Sequence, residues 1–155
     1  MRSVFPAFCT DEAADWLQRL DAARGKEPVD QALRSVAESA DPRVSAGRAE
    51  VGLVAAELLA ALHGYPHPAL PEPGHAWVKA QGGARSVRTD GDFADLVMAT
   101  RALDLIGTGS QLSDAREEPV AEARWRASLD DLRMRLATAG GMPRYHDTQS
   151  VAHGT

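Results

Sequence analysis

Cross-linking sulfur is the first thing this sequence lacks. Its 155 residues hold one cysteine, Cys9, so no disulfide can form within the chain and a reducing compartment is expected. Aromatics are scarce too, at 5%, which leaves leucine, valine and alanine to build any core. Alternating runs rich in valine and isoleucine are missing, and with them the pattern a sheet requires. No apolar stretch approaches the ~20 residues of a membrane span. The opening MRSVFPAFCTDEAADW meets acidic residues before any apolar segment of signal-peptide length, so a cytoplasmic location is expected. Positive charge is not in excess either: 17 Lys and Arg stand against 22 Asp and Glu, a formal charge of −5. That excludes a nucleic-acid binder working through a broad basic face and fits a basic protein partner.

What is present is a rod. Between Val51 and Leu62 only Gly52 and Glu57 interrupt an apolar run, and a helix apolar almost all round belongs inside a bundle. The central helix is placed at 45–63, closed by Gly64. Before it, Thr10 reads as an N-cap, with Asp11 and Glu12 in a first turn that favours negative charge. That first helix runs to about Arg24 and stops at Gly25, with Ala13, Trp16, Leu17 and Leu20 as its apolar stripe. Phe5 and Phe8, ahead of it, are placed to tuck into the bundle. Pro28 opens a second helix, buried through Val29, Leu33, Val36 and Ala40 and ended by Asp41-Pro42. Asp30 and Arg34 form an i,i+4 surface pair on it.

A proline-rich connector follows, residues 65–92, with Pro66, Pro68, Pro71 and Pro73 in quick succession. Such chain travels stiff and extended; His75 to Ala80 has room for one helical turn, and Trp77 is the expected anchor. Asp90 or Asp92 caps a fourth helix with the stripe Phe93, Leu96, Val97, Thr100, Leu103 and Ile106, stopped by Gly107. A second loop precedes a last helix from Pro119 to about Ala139, lined by Trp125, Leu129, Leu132 and Leu136. The expected fold is all-α: a single-domain bundle, residues 1–143, of about five helices around the central one, with a flexible polar tail over 144–155.

Candidate chemistry gathers at the acids. An ionised carboxylate in a dry interior costs several kcal/mol unless paired, so Glu57 needs a cation, a set of donors or a route to water. Glu50 lies on the same face two turns earlier, about 10 Å along the axis. Asp11 and Asp15 share a face of the first helix. If these faces oppose, Asp11, Asp15, Glu50 and Glu57 converge as a metal or acid/base site. The simpler reading pairs Glu57 with Arg101 or Arg135 and leaves Asp11 as a capping charge and Asp15 as a partner of Arg19; no Glu-x-x-His pattern accompanies the acids. His63 and His67 are kept off a shared helix face by Gly64, Pro66 and Pro68, and His75, His146 and His153 complete no zinc spacing. His63 is better explained as a contact with the helix C-terminus. No G-x-S-x-G elbow occurs, Cys9 has no activating signature, and Gly107–Ser110 lacks the lysine of a phosphate loop. No catalytic residue, cofactor or metal site is therefore assigned. Trp16 and Trp125 read as core.

With the segments placed, three motifs resemble a bacterial family, domain of unknown function 4259. Phe8-Cys9-Thr10-Asp11-Glu12-Ala13-Ala14-Asp15-Trp16-Leu17 is similar to its opening block, Val54-Ala55-Ala56-Glu57 with Ala60, Ala61 and Gly64 to its alanine-rich block, and Trp125 with Asp131-Leu132 and Arg135-Leu136 to its closing block. The resemblance spans roughly Phe5 to Leu136. Departures are Val4-Phe5-Pro6-Ala7 in place of a glycine-bearing lead, Thr10 where the family prefers Asn, and Ser110–Asp114 as a partial match to an acidic block. The resemblance implies the fold and marks Phe8, Asp11, Asp15, Trp16, Glu57, Trp125 and Arg135 as motif positions; it supplies no mechanism. The function expected is that of a small acidic binding protein without catalysis, immunity- or antitoxin-like, that neutralises a basic protein. The alternatives are a self-associating structural protein and a carboxylate-based, metal-dependent hydrolase.

Overall fold

The computed structural model describes residues 11–38, 46–83, 90–109 and 119–140. Among them are six α-helices and no strand. α1 spans Asp11–Gln18, α2 Glu27–Ala37, α3 Ala46–Leu62, α4 Glu72–Ala80, α5 Asp90–Gly109 and α6 Pro119–Ala139, with one 3-10 turn at Ala22–Arg24. The expected all-α bundle is what forms, and the rod is at its centre. The other five helices all pack on α3, and its side chains from Leu53 to Leu62 are buried without a break. None of the described helices is long and apolar enough to cross a membrane.

Local chemistry explains where the elements start and stop. α1 ends at Gln18 rather than near Arg24 because Asp21 takes over the backbone: its Oδ1 accepts the N–H of Ala23 at 3.0 Å. Asp side chains compete with helical bonding in this way. Gly25, at φ +63°, then turns the chain into α2, where Pro28 sits in the first turn. α3 closes as expected at Gly64, φ +95°. The Tyr65 N–H reaches the Ala60 carbonyl at 2.9 Å and the Gly64 N–H the Ala61 carbonyl at 3.0 Å, a Schellman closure.

Four expectations need correction. The connector carries a full helix, α4, because Pro73 occupies the first turn, where a missing N–H costs nothing. On α5, Phe93 and Val97 are 46% and 67% exposed, and the buried edge is Leu96, Ala99, Ala102, Leu103 and Ile106; Gly107 lies within this helix and packs against Leu129 rather than stopping it. Asp30 does not pair with Arg34 on the surface. Arg34 bonds Glu38 at 3.3 Å, and Asp30 turns toward α5. Phe5, Phe8, Cys9, Thr10, Ala40 to Pro42, Ser110–Asp114 and the tail with His146 and His153 lie outside the described residues.

Gly52 lets α3 approach its neighbours. A Cβ there would lie 2.9 Å from Val36 Cγ2 and 3.4 Å from Ile106 Cδ1. Val36 is β-branched and stiff at χ1, so it cannot step aside cheaply. Alanine gains ~1 kcal/mol over glycine in helix propensity, but overpacking costs about 1–3 kcal/mol. Gly52→Ala is expected to lower the urea midpoint, whereas Gly47→Ala, whose Cβ would meet only the swinging carboxylate of Glu12, is expected to leave it unchanged or raise it.

Candidate functional site

Glu57 lies midway along the buried stretch of α3, with none of its surface exposed. Facing it, Arg135 on α6 is presented by the same helical face that buries Leu132 and Leu136. The guanidinium is bidentate: Nη1 donates to Oε1 at 2.7 Å and Nη2 to Oε2 at 2.9 Å. Nη1 also donates to the Tyr65 carbonyl at 3.1 Å, which the left-handed Gly64 has turned toward it. At the rim, Asp131 takes Nε at 2.9 Å and Nη2 at 2.8 Å. Burial pushes the Glu57 carboxyl upward while Arg135 pulls it back. Burial works against the Arg135 cation, but Glu57 and then Asp131 outweigh it and hold the cation firmly charged. The two directions look opposed for an ion pair. The bidentate geometry decides in favour of a charged pair whose carboxylate remains costly to bury.

Of the two cations the sequence offered, Arg135 meets Glu57 and Arg101 stays exposed. His67, buried on the connector beside this pair, accepts the Ala69 N–H on Nδ1 at 2.9 Å; burial, and then the Arg135 charge, lower its pKa and favour the neutral imidazole. His63 is buried at the end of α3. Both oxygens of Glu57 are occupied by guanidinium nitrogens, so the cluster pins α6 to α3.

The gathering of four acids does not form. Asp11 and Asp15 are exposed on α1, Glu50 is half-buried two turns from Glu57, and Glu57 faces α6. Among the described residues no three His, Cys, Asp or Glu side chains are placed to hold a metal ion. Trp77 and Trp125 are buried, as expected of anchor and core, whereas Trp16 is half-buried.

Two features escaped the sequence. At the α2–α5 junction Lys26 Nζ bonds Asp92 at 3.2 Å and also bonds Asp95; those two charges outweigh burial and raise the Lys26 pKa. Asp30 stands beside them, its Oδ1 buried with no hydrogen-bond partner. Burial first, then Asp95, push its carboxyl up to about 6, against the pull of Lys26 and Arg34. The hint was the spacing of Lys26 to Asp30 and of Asp92 to Asp95, each a same-face pair. The second feature is a groove between α1, α2 and α3, two adjoining hollows of about 330 and 290 Å³. Trp16, Arg19, Ala32 and Val51 line both; Arg24 and Asp21 edge one, Arg48 and Glu12 the other.

An all-helical bundle pinned through a buried Glu–Arg pair is the class of protein these observations define. The family model described as domain of unknown function (DUF4259) matches residues 5–128, and the chain belongs to that family. No curated protein and no solved structure matches it.

Proposed function

We propose that this protein is a non-catalytic binding protein of the bacterial cytoplasm, immunity- or antitoxin-like, that captures a basic protein partner. The observation that supports the reading is the groove. A half-buried tryptophan between two hollows of side-chain size is the kind of anchor on which binding energy concentrates. Its rim carries arginines as well as acids, so local charge does not select a basic partner. Selection comes from the net charge of −5, which steers an oppositely charged protein at long range. Glu57, the acid best shielded from water, is spent on Arg135 and is left with no role in chemistry.

The test is capture of partners from native lysate of the source cells at low salt. A stoichiometric basic protein, released as salt is raised, is expected. Trp16→Ala, with helicity checked by circular dichroism, is expected to cost about 2 kcal/mol or more of that affinity. Recovery of no stoichiometric protein, or of one indifferent to both salt and Trp16, counts against the reading. Self-association is the second reading, favoured by Phe93 and Val97, exposed four residues apart on α5. Sedimentation that shifts with protein concentration, and stops shifting in Val97→Lys, would select it instead.

A further inference from the structure

We propose that the α2–α5 junction is a proton-sensitive clamp in which the buried Asp30 carboxyl, set beside Asp95 and Lys26, takes up a proton, so that acidification tightens the hold of α2 on α5. The geometry is one of mismatched charge. Among the described residues, three carboxylates, those of Asp30, Asp92 and Asp95, gather near the Lys26 ammonium. Lys26 spends its bonds on the two from α5, and Asp92 is buried. Asp30 therefore faces α5 with its Oδ1 buried and without a hydrogen-bond partner, close enough to the Asp95 carboxyl to feel its charge. Two neighbouring carboxylates are both ionised only at a cost, and a proton taken up by Asp30 relieves it by turning one acceptor into a donor.

The charges acting on Asp30 come from both helices: Lys26 and Arg34 from α2, Asp95 from α5, with Asp92 joining through Lys26. The third helix at the junction, α3, meets α2 through Gly52 against Val36. Arg34 bonds Glu38 on the surface and is the weakest of the influences on Asp30, offsetting the cluster only in part. A carboxyl raised in the folded state binds its proton more tightly there than in the unfolded chain. Its contribution is complete below the ordinary value near 3.8 and is lost as pH rises through about 6.

Carboxyl-carbon NMR titration of the wild-type protein reads this directly, alongside urea midpoints of wild type, Asp30→Asn and Asp95→Asn at pH 5 and pH 7.5. Asp30 is expected to titrate near 6 and to move down in Asp95→Asn, while burial, the larger cause, keeps it above the ordinary range. Asp30→Asn is expected to resist urea at least as well as wild type at pH 7.5 and to lose that standing by pH 5. Titration of Asp30 near 3.8 in the wild type would overturn the clamp. So would a value left unchanged in Asp95→Asn, since burial alone would then explain it, or a difference between wild type and Asp30→Asn that ignores pH.

Discussion

Arg135→Met is expected to destabilise the protein by about 3–5 kcal/mol, the usual cost of stranding one partner of a buried ion pair. The variant keeps most of the side-chain volume, so the loss measures charge more than packing. It leaves Glu57 buried on α3 with both oxygens stripped of donors. Asp131 also loses its partner but is exposed, and exposed pairs contribute little. The stranded Glu57 carboxyl can recover only by taking a proton, so its folded-state pKa climbs further. The penalty is then smaller at acid pH and grows as pH rises. In the wild type, Arg135 does not fully offset the burial of Glu57, so an apolar pair of similar volume is expected to do as well. Glu57→Met with Arg135→Met should recover most of the loss. Urea unfolding of the two variants at pH 5 and pH 8 checks all three statements. A single variant within ~1 kcal/mol of wild type, where surface substitutions fall, or a double variant no better than the single one, removes the pair from its role as the pin between α3 and α6.

The rod was legible because nothing else in the sequence resembles it: a run with two interruptions has no outward face, and it is enclosed. The single acid inside it demanded a cation, and that was legible too. Which cation was not, since Arg101 and Arg135 stand on different helices and the choice turns on how α5 and α6 rotate against α3. The same rotation misled the reading of α5. Phe93 and Val97 are the bulkier apolar residues, yet the helix buries Ala99 and Ala102, whose small side chains let the backbones approach. Alanine on a close-packed face carries a weak hydrophobic signal. α1 stopped early because one aspartate, Asp21, bonded its own backbone, and α4 formed where a row of prolines suggested extended chain. The cluster at Lys26 joins residues 66 and 69 apart in sequence, and the groove at Trp16 is made by three helices. The groove has no local pattern to read, and the same-face spacings within the cluster do not say that the two helices meet.

Trp77→Ala is expected to cost about 3–5 kcal/mol, the range for emptying a large buried aromatic site. The indole is 2% exposed, and its Nε1 donates to the Gly25 carbonyl at 3.2 Å. That one side chain fastens α4 to the turn ahead of α2, residues 52 apart in sequence, while Gly74 lets the same helix sit close to Leu58 and Leu70, since a Cβ there would lie 3.0–3.1 Å from them. Trp77→Phe separates the two contributions. It keeps most of the ring and deletes the donor, which is worth about 1 kcal/mol, plus a part of the packing term for the smaller ring. Phe is therefore expected to fall between wild type and Ala, nearer wild type. α4 touches the rest of the bundle over a short length, so Trp77→Ala should open it locally before the whole bundle unfolds. Limited proteolysis of the native protein is then expected to cut within α4 in Trp77→Ala and to spare that helix in the wild type. If both variants match wild type in urea and in cleavage, the connector is held by Leu70 and Gly74 alone, and Trp77 fills space without fastening anything.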